Sequence, residues 1–105
     1  MEQALDAIGN PRRRQILRLV WDAERSAGDL AAVSDVSWPA VSQNLRVLKN
    51  CGLVLERRDG THRYYKADRQ ALAPLEAVLR QMWAGDLGRL KQLAEAEARR
   101  RRKRR

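Results

Sequence analysis

Ser37-Trp-Pro-Ala-Val-Ser-Gln-Asn-Leu-Arg-Val-Leu-Lys-Asn-Cys-Gly-Leu53 reads as one helix with both ends marked. Ser37 is a suitable N-cap, because its hydroxyl can accept a hydrogen bond from a free backbone N–H of the first turn. Pro39 is tolerated there, since first-turn N–H groups lack intrahelical partners. Gly52 suits the left-handed position just past a helix end. Between these ends, Val41, Leu45 and Leu48 recur at i, i+4 and i+7 as a narrow apolar stripe. The other face carries Ser42, Gln43, Arg46 and Lys49, whose lengths and donors suit base edges and phosphates. The stretch predicts a helix that reads DNA.

Upstream, the pattern is a series of short helices. Gln3 to Ile8 is a helix candidate stopped by Gly9, with Leu5 and Ile8 on one face. Asn10 caps a second helix and Pro11 takes its first position. That helix is expected to run to about Ala23, with Ile16, Leu17 and Val20 inward. Arg12, Arg13 and Arg14 lie in its first turn, the wrong end for cations on a helix dipole. Either nearby acids or solvent offset that cost, or these side chains grip a phosphate or cross a dimer interface. Ser26 and Asp29 fit a capping box with Asp in place of Glu. A third helix from Ala27 to about Ser34 should turn Leu30 and Val33 inward. Asp35-Val36 reads as a tight turn. Helix, turn and capped helix together make a helix-turn-helix.

Downstream, the period changes. Leu53 to Arg58 and His62 to Lys66 read as two strands around Asp59-Gly60, a strong hairpin signal. Arg57, Arg58, His62 and Arg63 border the tip, as in a wing beside a recognition helix. Leu53, Val54, Leu55, Tyr64 and Tyr65 offer the contacts a lone ribbon needs against the helices. Asp68 caps the last segment, a short turn to Ala73 and then a long helix from Pro74. Its stripe, including Leu75, Leu79, Met82, Trp83, Leu87 and Leu90, exceeds what the core of one small domain needs. A second copy of the chain is the expected partner, with Leu5 and Ile8 packing alongside. The expected architecture is mainly α, about five helices with a two-stranded wing. Residues 1–98 form the winged helix-turn-helix unit with its dimerisation helices, and 99–105 form a basic tail.

Bulk properties narrow the functional classes. With 105 residues there is room for one domain. The net charge is +9, but residues 99–105 are seven consecutive cations, and removing them leaves +2 for the body. Specificity must then rest on a few local side chains. The tail is open to three readings: added non-specific DNA affinity, an acidic protein partner, or a solvated terminus. One cysteine, Cys51, permits no intrachain disulfide. It reads as a small semi-buried residue, a redox role requiring exposure and a lowered pKa. No apolar run reaches membrane-spanning length, and no signal-peptide core is present, so a cytoplasmic, nucleoid-associated protein is expected.

The motifs Asn10 to Leu17, Asp29 to Ala31, Ser37 to Val54 and Arg57 to Tyr65 together resemble the ArsR/SmtB family. The resemblance covers roughly residues 3 to 95. It implies a five-helix winged fold, dimerisation through the first and last helices, and repression by binding imperfect palindromes in promoters. Metal-sensing members carry a Cys-x-Cys box at the start of the third helix, or Asp and His pairs on the last one. Here Ser26-Ala27-Gly28-Asp29-Leu30 contains no sulfur ligand, and the last helix contains no His. One Cys and one His build neither site, so no metal or other cofactor is expected. The long last helix, with Met82-Trp83 and Asp86-Leu87, looks like a subgroup that binds DNA without a recognised metal, its effector unknown.

The expected DNA contacts are Ser37, Trp38, Pro39, Ser42, Gln43, Arg46 and Lys49 from the helix, and Arg58, His62 and Arg63 from the wing. Ser42 and Gln43 are the base readers, with Arg46 and Lys49 on phosphates. Trp38 either packs under the turn beside Val36 or presents its ring to DNA. His62 reads as a backbone contact or a solvated residue rather than a metal ligand. No carboxylate is paired with a nucleophile or base, so an enzyme is not expected. The reading is a homodimeric repressor with helix 38–50 in the major groove and wing 54–66 on the backbone or minor groove. The alternative is a winged-helix protein-interaction adaptor with a basic tail.

Overall fold

The computed structural model describes residues 2–34 and 36–103, with the backbone alone for Arg89, Leu90 and Lys103. The fold is a winged helix-turn-helix, mainly α. Helix α1 (Glu2–Ile8) ends at Gly9, and α2 (Pro11–Leu19) starts at once, with the Asn10 carboxamide oxygen accepting from the N–H groups of Arg12 and Arg13. Helix α2 is shorter than expected. After Val20 the chain leaves the helix to meet the sheet, and the Val20 carbonyl accepts from the Ala67 N–H at 2.9 Å.

Two of the three first-turn arginines, Arg13 and Arg14, find local partners. Arg14 is buried and donates through Nε and Nη2 to both carboxylate oxygens of Asp86, at 2.9 and 2.8 Å. Its Nη1 donates to the Ile8 carbonyl, and Arg13 Nε donates to the Ala7 carbonyl. The last carbonyls of α1 thus supply negative charge where the N-terminus of α2 lacks it.

Strand β1 (Arg25–Ser26) leads into α3 (Ala27–Val33) through a complete capping box. Ser26 Oγ accepts from the Asp29 N–H, and Asp29 accepts from the Ser26 N–H. Leu30 is buried, but Val33, expected inward, is exposed. Ala27 and Ala31 pack beside Leu30, which centres the buried face away from Val33. Asp35 of the expected turn lies outside the described residues. Helix α4 (Trp38–Asn50) follows, with Ser37 Oγ accepting from the Ala40 N–H. Its C-terminus closes in a Schellman motif: Gly52 N–H donates to the Lys49 carbonyl and Leu53 N–H to that of Leu48, both at 2.9 Å. Gly52 has φ 74°, and Leu48 and Leu53 are both buried there.

Strands β2 (Val54–Asp59) and β3 (His62–Ala67) form the hairpin, and the antiparallel sheet has the order β1-β3-β2. The third strand, absent from the two-strand expectation, is only two residues long and leaves no period-2 signal in the sequence. Asp59 pairs with His62, so the loop is Gly60-Thr61, one residue later than expected. Gly60 alone takes positive φ, 63°, as a type II′ turn requires of its first central residue.

Asp68 caps α5 (Arg69–Leu72), and a 3-10 turn (Ala73–Leu75) leads into α6 (Glu76–Lys103). One core joins all these elements. Trp21 and Trp83 meet edge to face at 5.2 Å, and Trp83 Nε1 donates to the Arg14 carbonyl at 2.8 Å. This corrects part of the expected partner-facing stripe. Ile8, Leu75, Leu79 and Trp83 are buried within the protomer, consumed by α2 and the Trp pair. Met82 is half-buried against the same core. Leu5 is 44% and Leu87 51% exposed. The Leu90 side chain lies outside the described residues. Beyond Asp86, the described side chains of α6 are exposed except Glu97, which is half-buried and pairs with Arg100 and Arg101. The helix continues through the basic run as far as Lys103.

Candidate functional site

The register of the hairpin decides which wing residues face α4. Val54 opposes Ala67, Glu56 opposes Tyr65, and Arg58 opposes Arg63. Side chains directly across an antiparallel pair share a face. Val54, Ala67 and Tyr65 are buried, so this face looks toward the helices, and Arg58 and Arg63 prolong it past the end of the core. The other face carries Leu55, Arg57 and His62. Leu55, expected to pack inward, is exposed for that reason. His62 therefore does not share a face with Arg58 and Arg63, and its ring lies 6.3 Å from that of Tyr64.

Arg57 has a local role. Its guanidinium donates to both carboxylate oxygens of Glu24 and lies 4.8 Å from the centre of the Tyr64 ring. The hydrogen bond from Arg57 holds the Glu24 carboxyl below its ordinary pKa, and the charges of Arg57 and Lys66 add to this against the opposing effect of desolvation. Glu24 precedes β1, so the pair ties the wing to the segment after α2.

Between α4 and the inner face of the hairpin lies an open groove of about 480 Å³. Ser42, Arg46, Lys49 and Asn50 line one wall, Glu56, Arg63 and Tyr65 the other. The structure thus brings together four predicted site residues, Ser42, Arg46, Lys49 and Arg63. Gln43, Pro39 and Ser37 are exposed on α4 or at its start, outside the groove lining. Trp38 is 57% exposed, and a Cβ added at Gly28 would meet its ring at 2.9 Å, so the ring lies over α3. Cys51 is half-buried, its Sγ 3.8 Å from the Gln3 carbonyl oxygen.

Sequence reasoning missed Glu56. Lys49 Nζ lies 3.3 Å from its carboxylate, and the Glu56 side chain is 13% exposed. Desolvation opposes its ionisation. Hydrogen bonds from Lys49 and Tyr65, with the charges of Lys49 and Arg63, outweigh that and hold its carboxyl below the ordinary value. Burial raises the Tyr65 hydroxyl, and the hydrogen bond to Glu56 raises it further. The residue could have been found by counting back in twos from Arg58, once the turn had set the register. Among the described residues no group of three or more His, Cys, Asp or Glu is placed to hold a metal ion, and no helix is long and apolar enough to cross a membrane.

Comparison with known proteins agrees with this geometry. The family model described as bacterial regulatory protein, arsR family, matches residues 10–55, from the cap of α2 into β2. The HTH-type transcriptional regulator Rv2034 of Mycobacterium tuberculosis is 38% identical over 96 residues, covering 91% of this chain and 90% of its own length. The transcriptional repressor SdpR of Bacillus subtilis is 33% identical over 72 residues, 69% of this chain and 80% of its own. Among solved structures, the homodimeric winged helix-turn-helix DNA-binding domain Mb0332 of Mycobacterium bovis superposes with a TM-score of 0.69 at 34% identity, covering 79% of this chain and 77% of that one. With a relative of that identity spanning nearly its whole length, and the helix-turn-helix and wing in place, this chain belongs to the arsR family of bacterial regulatory proteins.

Proposed function

We propose that the protein is a homodimeric, sequence-specific DNA-binding repressor that occludes a promoter by seating α4 of each protomer in a major groove. The observation that carries this reading is the groove where Ser42, Arg46 and Lys49 of α4 meet Arg63 of the wing. Arg58 sits directly across from Arg63, a like-charge pair that disfavours the isolated hairpin. A polyanion at the wing relieves that repulsion. Ser42 and Gln43 supply donors and acceptors to base edges, while Arg46, Lys49, Arg58 and Arg63 neutralise phosphates. Ser37, Trp38 and Pro39 bring the start of α4 to the backbone, and His62 reaches it from the outer face of the wing.

The second protomer covers the outer half of α6. A helix that buries nothing of its own gains little stability from propensity alone. Leu87 and Leu93 are 51% and 62% exposed there, and Leu5 lies on the neighbouring α1. Half-buried Met82 extends the same contact. The basic run 99–105 forms a distinct functional segment after a unit spanning 1–98 and adds sequence-independent affinity for duplex. The protein works in the cytoplasm, on the nucleoid.

Selection of bound duplexes from a random pool at near-physiological salt tests the reading. A two-fold palindrome is expected, and the double variant Ser42→Ala/Gln43→Ala should lose the preference while keeping non-specific binding. A pool from which nothing palindromic is enriched overturns it.

A further inference from the structure

The groove holds one group that ought not to be there. Phosphate-binding surfaces are built from cations, yet Glu56 sits between Lys49 and Arg63 and is mostly buried. A glutamine of the same shape could keep a hydrogen bond to Tyr65 without placing a negative charge in the path of a phosphate. The groups facing Glu56 are Arg46 and Lys49 from α4 and Arg63 and Tyr65 from β3. An ion pair open on one side, such as Lys49 with Glu56, contributes little to stability, so fold maintenance alone does not account for the charge.

We infer that Glu56 is a specificity-determining residue: by holding Lys49 and facing Arg63 from the groove wall, it weakens the grip of these cations on any passing phosphate. This rests on the DNA-binding reading above. Each cation free to neutralise a phosphate adds sequence-independent affinity through counterion release. Specificity is the difference between operator and non-operator binding, so restraining that affinity raises it. On an operator, base contacts seat α4 in register and carry a backbone phosphate to Lys49, which then exchanges Glu56 for it. On an unrelated duplex nothing enforces that approach, and Lys49 stays with Glu56.

The test is the salt dependence of binding by the full chain to an unrelated duplex, followed by fluorescence anisotropy. Glu56→Gln is expected to bind roughly tenfold more tightly at about 50 mM salt, with the log–log slope steeper by about 0.9, one phosphate contact. Its affinity for the selected operator should rise less, so the specificity ratio falls. Adding Lys49→Gln to Glu56→Gln should cancel the gain. If Glu56→Gln fails to fold, Glu56→Ser removes the same charge and should give the same change in slope. An unchanged slope, or weaker binding with a shallower slope, overturns the assignment and leaves Glu56 as a structural partner of Lys49. A wild-type chain that binds no duplex at all overturns the regulator reading itself.

Discussion

Arg14 shows how one side chain can join three helices. It belongs to α2, donates to the last carbonyl of α1, and holds Asp86 of α6 by two hydrogen bonds. The hydrogen bond to Asp86 raises the guanidinium pKa despite burial, so the charge is permanent. Asp86→Asn leaves a buried cation without its counter-charge. A loss of about 2–3 kcal/mol is expected in urea unfolding, below the full cost of breaking a wholly buried pair because Asp86 is partly exposed. Glu24 presents the reverse case at the surface. Its pKa is depressed by Arg57, so its contribution is complete above the ordinary glutamate range and is lost as pH falls through the depressed value. Protection factors of the wing amides, corrected for the pH dependence of intrinsic exchange, should therefore fall on acidification, and Glu24→Gln should flatten that dependence.

The elements were largely legible in the sequence because their ends are chemically marked. Asn10, Ser26, Ser37 and Asp68 each cap the helix they were expected to cap. Gly52 is required by its φ of 74° alone, since nothing lies within 4 Å of an added Cβ. Gly52→Ala should cost about 1–2 kcal/mol, the price of left-handed backbone, read as a lower denaturation midpoint with an unchanged m value. What was not legible depends on contacts between distant segments. The two-residue β1 exists only because Tyr64 and Tyr65 pair with it. Val33 looked like a core residue until Ala27 and Ala31 took the inner face of α3. Periodicity placed Ile8, Leu75, Leu79 and Trp83 on apolar faces, but it could not say whether their neighbours would come from this protomer or another. The groove was half legible: the cations on α4 stood out, whereas Glu56 became a site residue only through strand register.

Across the whole molecule, α6 serves two masters. Its first part completes the core, and the rest reaches past it; at 1.5 Å per residue the helix is about 42 Å long. Replacing both Leu87 and Leu93 with Glu should convert a dimer into a folded monomer, seen as halved mass by light scattering with the near-ultraviolet Trp signal retained. A dimer unaffected by both changes would place the partner elsewhere. Leu79→Ala, by contrast, opens a cavity in the core and should cost about 2–5 kcal/mol of stability.

The contact between Arg14 and the segment around Trp83 and Asp86 spans 69 to 72 positions of sequence. During synthesis, the caps, the helix-turn-helix and the hairpin all emerge before the residues that enclose Trp21 and neutralise Arg14. A nascent chain halted before Trp83 carries an unmatched Arg14 guanidinium and a Trp21 indole without its edge-to-face partner. The reading head is therefore not a detachable module, and a fragment ending after the wing, at Ala67, should remain a loosely ordered intermediate. The protein commits to its fold only once the chain has been made as far as Asp86, when the helix proposed to recruit its partner is already under way.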